Sequence, residues 1–257
     1  MDMGMTDLRV LVTGGSAGIG LATAELLAAD GARVMIASRH PEQAAASIGV
    51  AAVAADLATA EGCERAVEQA LDVLGGLDVL VNNIGIARIG QFADTTDEVW
   101  QSAWDTNVMS YVRCIRAALP ALRESQAAAV VNVASTSGKR PSAGMPEYSI
   151  TKAAVLSLSR LVADVHAADG IRCNAVCPGP TLSPAWLDPG GLADQTSGES
   201  DRSRDEVLRA VGAGRPLGRM AEPAEIAAVI AFLCSPRSSY VTGAAWSADG
   251  GTVPVII

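Results

Sequence analysis

The sequence predicts an α/β protein, a doubly wound parallel sheet with helices on both faces, and three observations carry that expectation. The apolar run Leu8-Arg9-Val10-Leu11-Val12 leads without a break into a glycine-rich turn, Thr13-Gly14-Gly15-Ser16-Ala17-Gly18-Ile19-Gly20, and then into a helix. Further short apolar runs recur between longer segments of helical spacing, and strands that are apolar throughout belong to parallel sheets covered on both faces. The 257 residues show no evident linker and no internal repeat, which fits one domain spanning 1–257 with room for a substantial core.

Taken in order, residues 19–29 (IGLATAELLAA) are strong helix formers with apolar side chains at helical spacing. Strand, turn and helix together make the first half of a dinucleotide-binding unit. Small residues let the backbone approach a pyrophosphate, and the helix N-terminus offers it unpaired N–H groups. The second strand, Val34-Met35-Ile36-Ala37-Ser38-Arg39, ends without the acid that would bond the ribose 2′-hydroxyl of NAD. Ser38 and Arg39 stand there instead, a hydroxyl and a guanidinium suited to a 2′-phosphate.

Helical spacing recurs over 59–74, 98–119, 146–168 and 222–234, with strands at Val79-Leu80-Val81 and Val130 to Val133. The latter run ends at Ser135. Inside the 146–168 helix, Tyr148-Ser149-Ile150-Thr151-Lys152 places a phenol and an ammonium one turn apart, on one face. A neighbouring cation favours phenolate, so Lys152 is expected to lower the Tyr148 pKa and ready it for proton transfer. Pro178 to roughly Ser203 is rich in Gly, Pro, Ser and Asp and reads as the low-order stretch of the chain.

Composition narrows the function. A net charge of −9 disfavours nucleic acid, which attracts basic surfaces. No apolar run is long enough to span a membrane and Met1-Asp2-Met3-Gly4-Met5 is unlike a signal peptide, so a cytoplasmic location is expected. Cys63, Cys114, Cys173, Cys177 and Cys234 form no CxxC pair, and with only His40 and His166 there is no plausible metal set. The thiols read as small buried hydrophobes; Cys173 and Cys177 can come close, but a functional disulfide is not expected. Gly14-Gly15-Ser16-Ala17-Gly18 also fits the GxSxG elbow of a serine hydrolase using Ser16. That reading needs a histidine late in the chain, and the last 91 residues hold none.

From about Leu8 to Gly251 the sequence resembles the short-chain dehydrogenase/reductase family. The motifs stand in order: Thr13 to Gly20 as the TGxxxGxG turn, Asp56-Leu57 at the end of the third strand, and Asn82-Asn83-Ile84-Gly85 in place of NNAG. Asn107, Ser135, Tyr148 and Lys152 follow as the catalytic tetrad, then Asn174-Ala175-Val176-Cys177-Pro178-Gly179 as NxxxPG, Arg215-Pro216-Leu217-Gly218-Arg219, and Asp249-Gly250-Gly251. Ile84 departs from the usual alanine and Ser183 from a common threonine.

The resemblance implies a Rossmann-type fold with a substrate lid at about 180–213, and hydride transfer between a nicotinamide cofactor and a carbonyl or secondary alcohol. Cofactor contacts are implied for Gly14, Ser16, Ala17, Gly18, Ile19, Gly20, Ser38, Arg39, Asp56, Leu57, Asn83, Ile84 and Gly85. Pro178, Gly179, Thr181, Ser183, Tyr148 and Lys152 complete that set. The Ser38-Arg39 pair favours NADP(H), with NAD(H) as the alternative; the second basic residue of some NADPH-using members is absent at Ala17. Tyr148 would move the proton, Ser135 hold the carbonyl oxygen, Lys152 bind the ribose and acidify Tyr148, and Asn107 order a water joining Lys152 to solvent. A non-catalytic NADP-binding sensor would have no need of the tetrad. The substrate is not spelled out: 3-oxoacyl-(acyl-carrier-protein), sugar, polyol, steroid and xenobiotic carbonyls all fit, and Lys139 and Arg140 read as solvated loop charges. A homotetramer is implied, with helices around 101–119 and 146–168 packing between subunits.

Overall fold

The structure, a computed structural model, describes residues 3–254, so residues 1–2 and 255–257 of the expected domain lie outside it. Strand β1 (Arg9–Thr13) enters helix α1 (Gly18–Ala29), followed by β2 (Arg33–Ser38), α2 (Glu42–Ile48), β3 (Ala51–Ala54), α3 (Ala60–Leu74) and β4 (Val79–Asn82). Helix α4 (Asp97–Trp104) passes through a π-helical turn, Asp105–Met109, into α5 (Ser110–Arg123). After β5 (Ala129–Val133) come α6 (Thr136–Lys139), α7 (Pro146–His166) and β6 (Arg172–Pro178). The chain ends with α8 (Pro184–Leu187), α9 (Leu192–Gly198), α10 (Arg204–Ala213), α11 (Pro223–Cys234) and β7 (Ala245–Ala248).

The seven strands form one sheet in the order β3-β2-β1-β4-β5-β6-β7, and every pair is parallel. Side chains alternate across a strand, and here the alternation supplies two cores. Leu11, Leu80 and Val130 point to the face covered by α3 and α5. Val10, Val12, Val79, Val81 and Val131 point to the face covered by α1 and α11. Register brings like residues together, Leu11 beside Leu80 and Val12 beside Val81. Two covered faces explain why the inner strands read as unbroken apolar runs.

The chain builds outward from β1 to β3, then returns to lay β4 on the other side of β1. Loops leaving β1 and β4 therefore diverge, opening a crevice at the carboxyl ends of the strands, where open α/β sheets bind their ligands.

Three expectations need correction. β3 stops at Ala54, two residues short of Asp56, because Asp56 begins a turn that caps α3: its carbonyl accepts from the Thr59 hydroxyl at 2.9 Å, and Thr59 Oγ1 accepts from Gly62 N at 3.0 Å. The helix expected over 98–119 widens into the π turn around Asn107. The stretch read as low-order contains two short helices, α8 and α9, whose one to two windings are too short to show a periodic pattern. Cys173 and Cys177 lie on one extended strand, β6, which holds their backbones roughly 13 Å apart, so they cannot pair.

Candidate active site

The crevice is a cleft of about 330 Å³ that the glycine turn floors and the segment after β6 roofs. Gly18 adopts φ +53°, a left-handed conformation open to glycine at no steric cost. At Gly20, a β-carbon would lie 2.2 Å from Gly14 O and 2.5 Å from Asn83 Nδ2, so only glycine lets α1 sit this tightly on the turn. Asn83 ties the turn to β4, its Nδ2 donating to Gly14 O at 3.0 Å. Helix α1 starts without a side-chain cap and with no acid in its first turn, so its leading N–H groups remain available to an anion.

Ser135, Tyr148 and Lys152 all line this cleft. Ser135 sits where β5 ends and caps α6, its Oγ accepting from Ser137 N at 3.1 Å. Tyr148 and Lys152 project from the first turns of α7, which Pro146 opens. Lys152 is buried, its Nζ donating to Val133 O at 2.8 Å and to Tyr111 Oη at 3.3 Å, and lying 5.8 Å from the centre of the Tyr148 ring. Burial pushes its ammonium down to about 7.

The expectation that Lys152 acidifies Tyr148 is reversed. Burial pushes the phenol above its ordinary value, and the hydrogen bond with Ser135 pulls it only part of the way back. Both shifts favour the neutral forms, because desolvation disfavours either charge. Beneath them the Cys177 thiol is raised to about 11 by burial and serves as a neutral spacer.

Asn107 does not line the cleft. It is fully buried in the π turn, where its Oδ1 accepts from Ile86 N at 2.8 Å and its Nδ2 donates to Ile86 O at 3.0 Å and to Thr151 Oγ1 at 3.0 Å. It clamps the strip after β4 to α7. Tyr111, unread in the sequence, stands one turn further on. Its hydroxyl lies 2.9 Å from both Ile84 O and Val133 O, so it joins the strip after β4 to β5 and Lys152. The available signal was its i+4 spacing from Asn107.

Of the other expected contacts, Gly14, Ala17, Gly18, Ile19, Asn83, Ile84, Gly85, Pro178, Gly179, Thr181 and Ser183 line the cleft. Ser16, Gly20, Ser38, Arg39, Asp56 and Leu57 do not. Leu57 is a core residue under α3. Ser38 Oγ is buried without a hydrogen-bond partner, and Arg39 is exposed beside it. Lys139 is no solvated charge, because its Nζ donates to Ala245 O at 2.7 Å and to Ser247 Oγ at 3.0 Å, bracing α6 against β7. Among the described residues no histidine bonds Ser16; His166 pairs with Asp169 beyond the far end of α7.

Residues 14–253 match the family model described as enoyl-(acyl carrier protein) reductase. The human dehydrogenase/reductase SDR family member 4 is 33% identical, over 94% of this chain and 86% of that one. The chain belongs to the short-chain dehydrogenase/reductase family. A second relative, the 3-oxoacyl-(acyl-carrier-protein) reductase of Vibrio cholerae, is 34% identical over 94% of this chain and 95% of its own. The L-sorbose reductase of Gluconobacter frateurii, solved with NADPH and L-sorbose, superposes with a TM-score of 0.92 at 35% identity over 100% of both chains. As a short-chain dehydrogenase/reductase, the chain is an NAD(P)-dependent oxidoreductase acting on a carbonyl or secondary alcohol.

Proposed function

We propose that the protein interconverts a ketone and a secondary alcohol with NADP(H), Tyr148 giving and taking the proton on oxygen. The observation that carries this reading is the convergence of Ser135, Tyr148 and Lys152 on the cleft that the glycine turn also lines. The residues fit the cofactor: an uncapped α1 N-terminus faces a turn shaped by Gly18 and Gly20, and at the end of β2 an unpartnered hydroxyl adjoins a guanidinium. Gly14, Ser16, Ala17, Gly18, Ile19 and Gly20 would cradle the pyrophosphate, Asp56 and Leu57 the adenine side, and Asn83, Ile84, Gly85, Pro178, Gly179, Thr181 and Ser183 the nicotinamide half. Bound there, the cofactor supplies or accepts the hydride.

The chain's own part is positioning and proton movement. Ser135 and Tyr148 present two hydroxyls to one carbonyl oxygen, orienting it and stabilising charge that develops there. Tyr148, held neutral by burial, enters reduction as an acid. Lys152 holds the ribose and, with a pKa about 7, exchanges protons in the physiological range. Asn107 fixes the strip that carries Ile86.

NADP(H) is preferred to NAD(H) because no carboxylate closes β2 and Arg39 forms no ion pair among the described residues. Residues 180–213 act as a lid on one catalytic domain. A homotetramer is supported by the exposed apolar stripe Ile150, Leu161 and Val165 on α7. Five buried free thiols suit a reducing cytoplasm; among the described residues no helix is long and apolar enough to cross a membrane. Steady-state consumption of NADPH and of NADH with simple ketones tests the assignment: kcat/KM is expected to favour NADPH at least tenfold, and a preference for NADH overturns it.

A further inference from the structure

Resting on that reading, we propose that the acceptor is a neutral ketone bearing an apolar chain or ring, received against Trp186 and Leu192 of the lid. Ile86 and Met145 line the cleft with Ser135 and Tyr148, and the lid adds Trp186 and Leu192. No Asp, Glu, Arg or His lines the cleft, and among the described residues Lys152 is its one charged side chain. That ammonium is already engaged by Val133 O and Tyr111 Oη.

A carboxylate or phosphate on the substrate would therefore enter without a counter-charge, and desolvating an unpaired anion is costly. The nearby cations do not supply one. Arg88 and Arg140 are exposed and outside the lining, and Lys139 is spent on β7. Ile86, Met145, Trp186 and Leu192 present hydrocarbon, thioether and indole to the remainder of the molecule, and apolar surface buried against them stabilises binding.

Initial rates of NADPH consumption by the full-length enzyme test this on two matched sets: the methyl ketones from 2-butanone to 2-octanone, and ethyl acetoacetate against acetoacetate. Along the ketones kcat/KM is expected to climb about four-fold per methylene, the rate equivalent of ~0.8 kcal/mol. The ester should exceed the acid by about 100-fold or more. Trp186→Ala and Leu192→Ala should each cut the ratio of 2-octanone to 2-butanone about tenfold, whereas partial misfolding lowers all members alike and leaves the ratio standing. An unchanged ratio in both variants removes Trp186 and Leu192 from the role. Acetoacetate turned over as well as its ester overturns the proposal and leaves the reductase reading intact. NADPH binding, seen as quenched tryptophan fluorescence, with no consumption by any compound overturns both.

Discussion

The Tyr148 phenol feels two opposed influences: burial, which favours the protonated form, and the Ser135 hydroxyl, which favours the phenolate. Removing the hydroxyl while keeping the ring isolates the proton transfer. Tyr148→Phe should lower kcat by about 10²–10⁴, the usual range for a lost general acid, while the dissociation constant for NADPH, read by fluorescence, changes only a few-fold. Activity within tenfold of the parent would mean that another group moves the proton. That Tyr148 and Lys152 share one helix face was legible from their four-residue spacing, and Ser135 from its place at the end of an apolar run, and the three line one cleft. The direction of the Tyr148 shift was not legible, since spacing reports proximity and says nothing of burial. Tyr111 was hidden for a related reason: its partners Ile84, Val133 and Lys152 come from three segments remote from it in sequence, and on its own helix it reads as an aromatic on an apolar face.

At the scale of elements, the inner strands and the long helices were readable from unbroken apolar runs and from helical periodicity. Strand β7 was not, because its four residues form an edge strand with two exposed side chains. The π turn at Asp105–Met109 was invisible as well, since one widened turn leaves the surrounding periodicity nearly intact while it turns Asn107 toward Ile86. Beyond Ile86 the same strip reaches the lid: Ile89 N donates to Gln195 Oε1 at 2.9 Å, and Gln195 Nε2 donates to Gly190 O at 2.8 Å. Gln195 thus latches α9 across the cleft to a strip that Asn107 anchors on the far side. Gln195→Ala should raise KM several-fold with a smaller effect on kcat, and amide hydrogen exchange should quicken across 187–198 while the sheet keeps its protection. Equal exchange in the two proteins would show that the latch does not hold the lid.

For the molecule as a whole, the switch in strand order creates a crevice, and burying a lysine in its wall has a cost. Two buried ionisable groups show the opposed consequences. Asp78, gripped by Arg9 at 2.7 and 2.8 Å and by Ser125 at 2.6 Å, is held down to about 2. Its contribution is present above its ordinary value and is lost as pH falls toward 2. Lys152 is lowered too, but it is a base, so the sign inverts. Between about 7 and its ordinary 10.5 the unfolded chain carries a proton that the folded protein has released. Stability therefore rises with pH across that window, and below about 7 the full cost of burying the ammonium is felt. Lys152→Met removes that titration and leaves Asp78 untouched. Its Tm should exceed that of the parent at pH 6.5, each ~1 kcal/mol recovered raising it by about 2–4 °C, and the gain should shrink steadily through pH 8 to pH 9.5. Calorimetric scans at the three pH values decide the point: a difference that stays constant would mean that the lysine is not held against its own charge, and the proton-exchanging role assigned to it in the cleft would fall with that result.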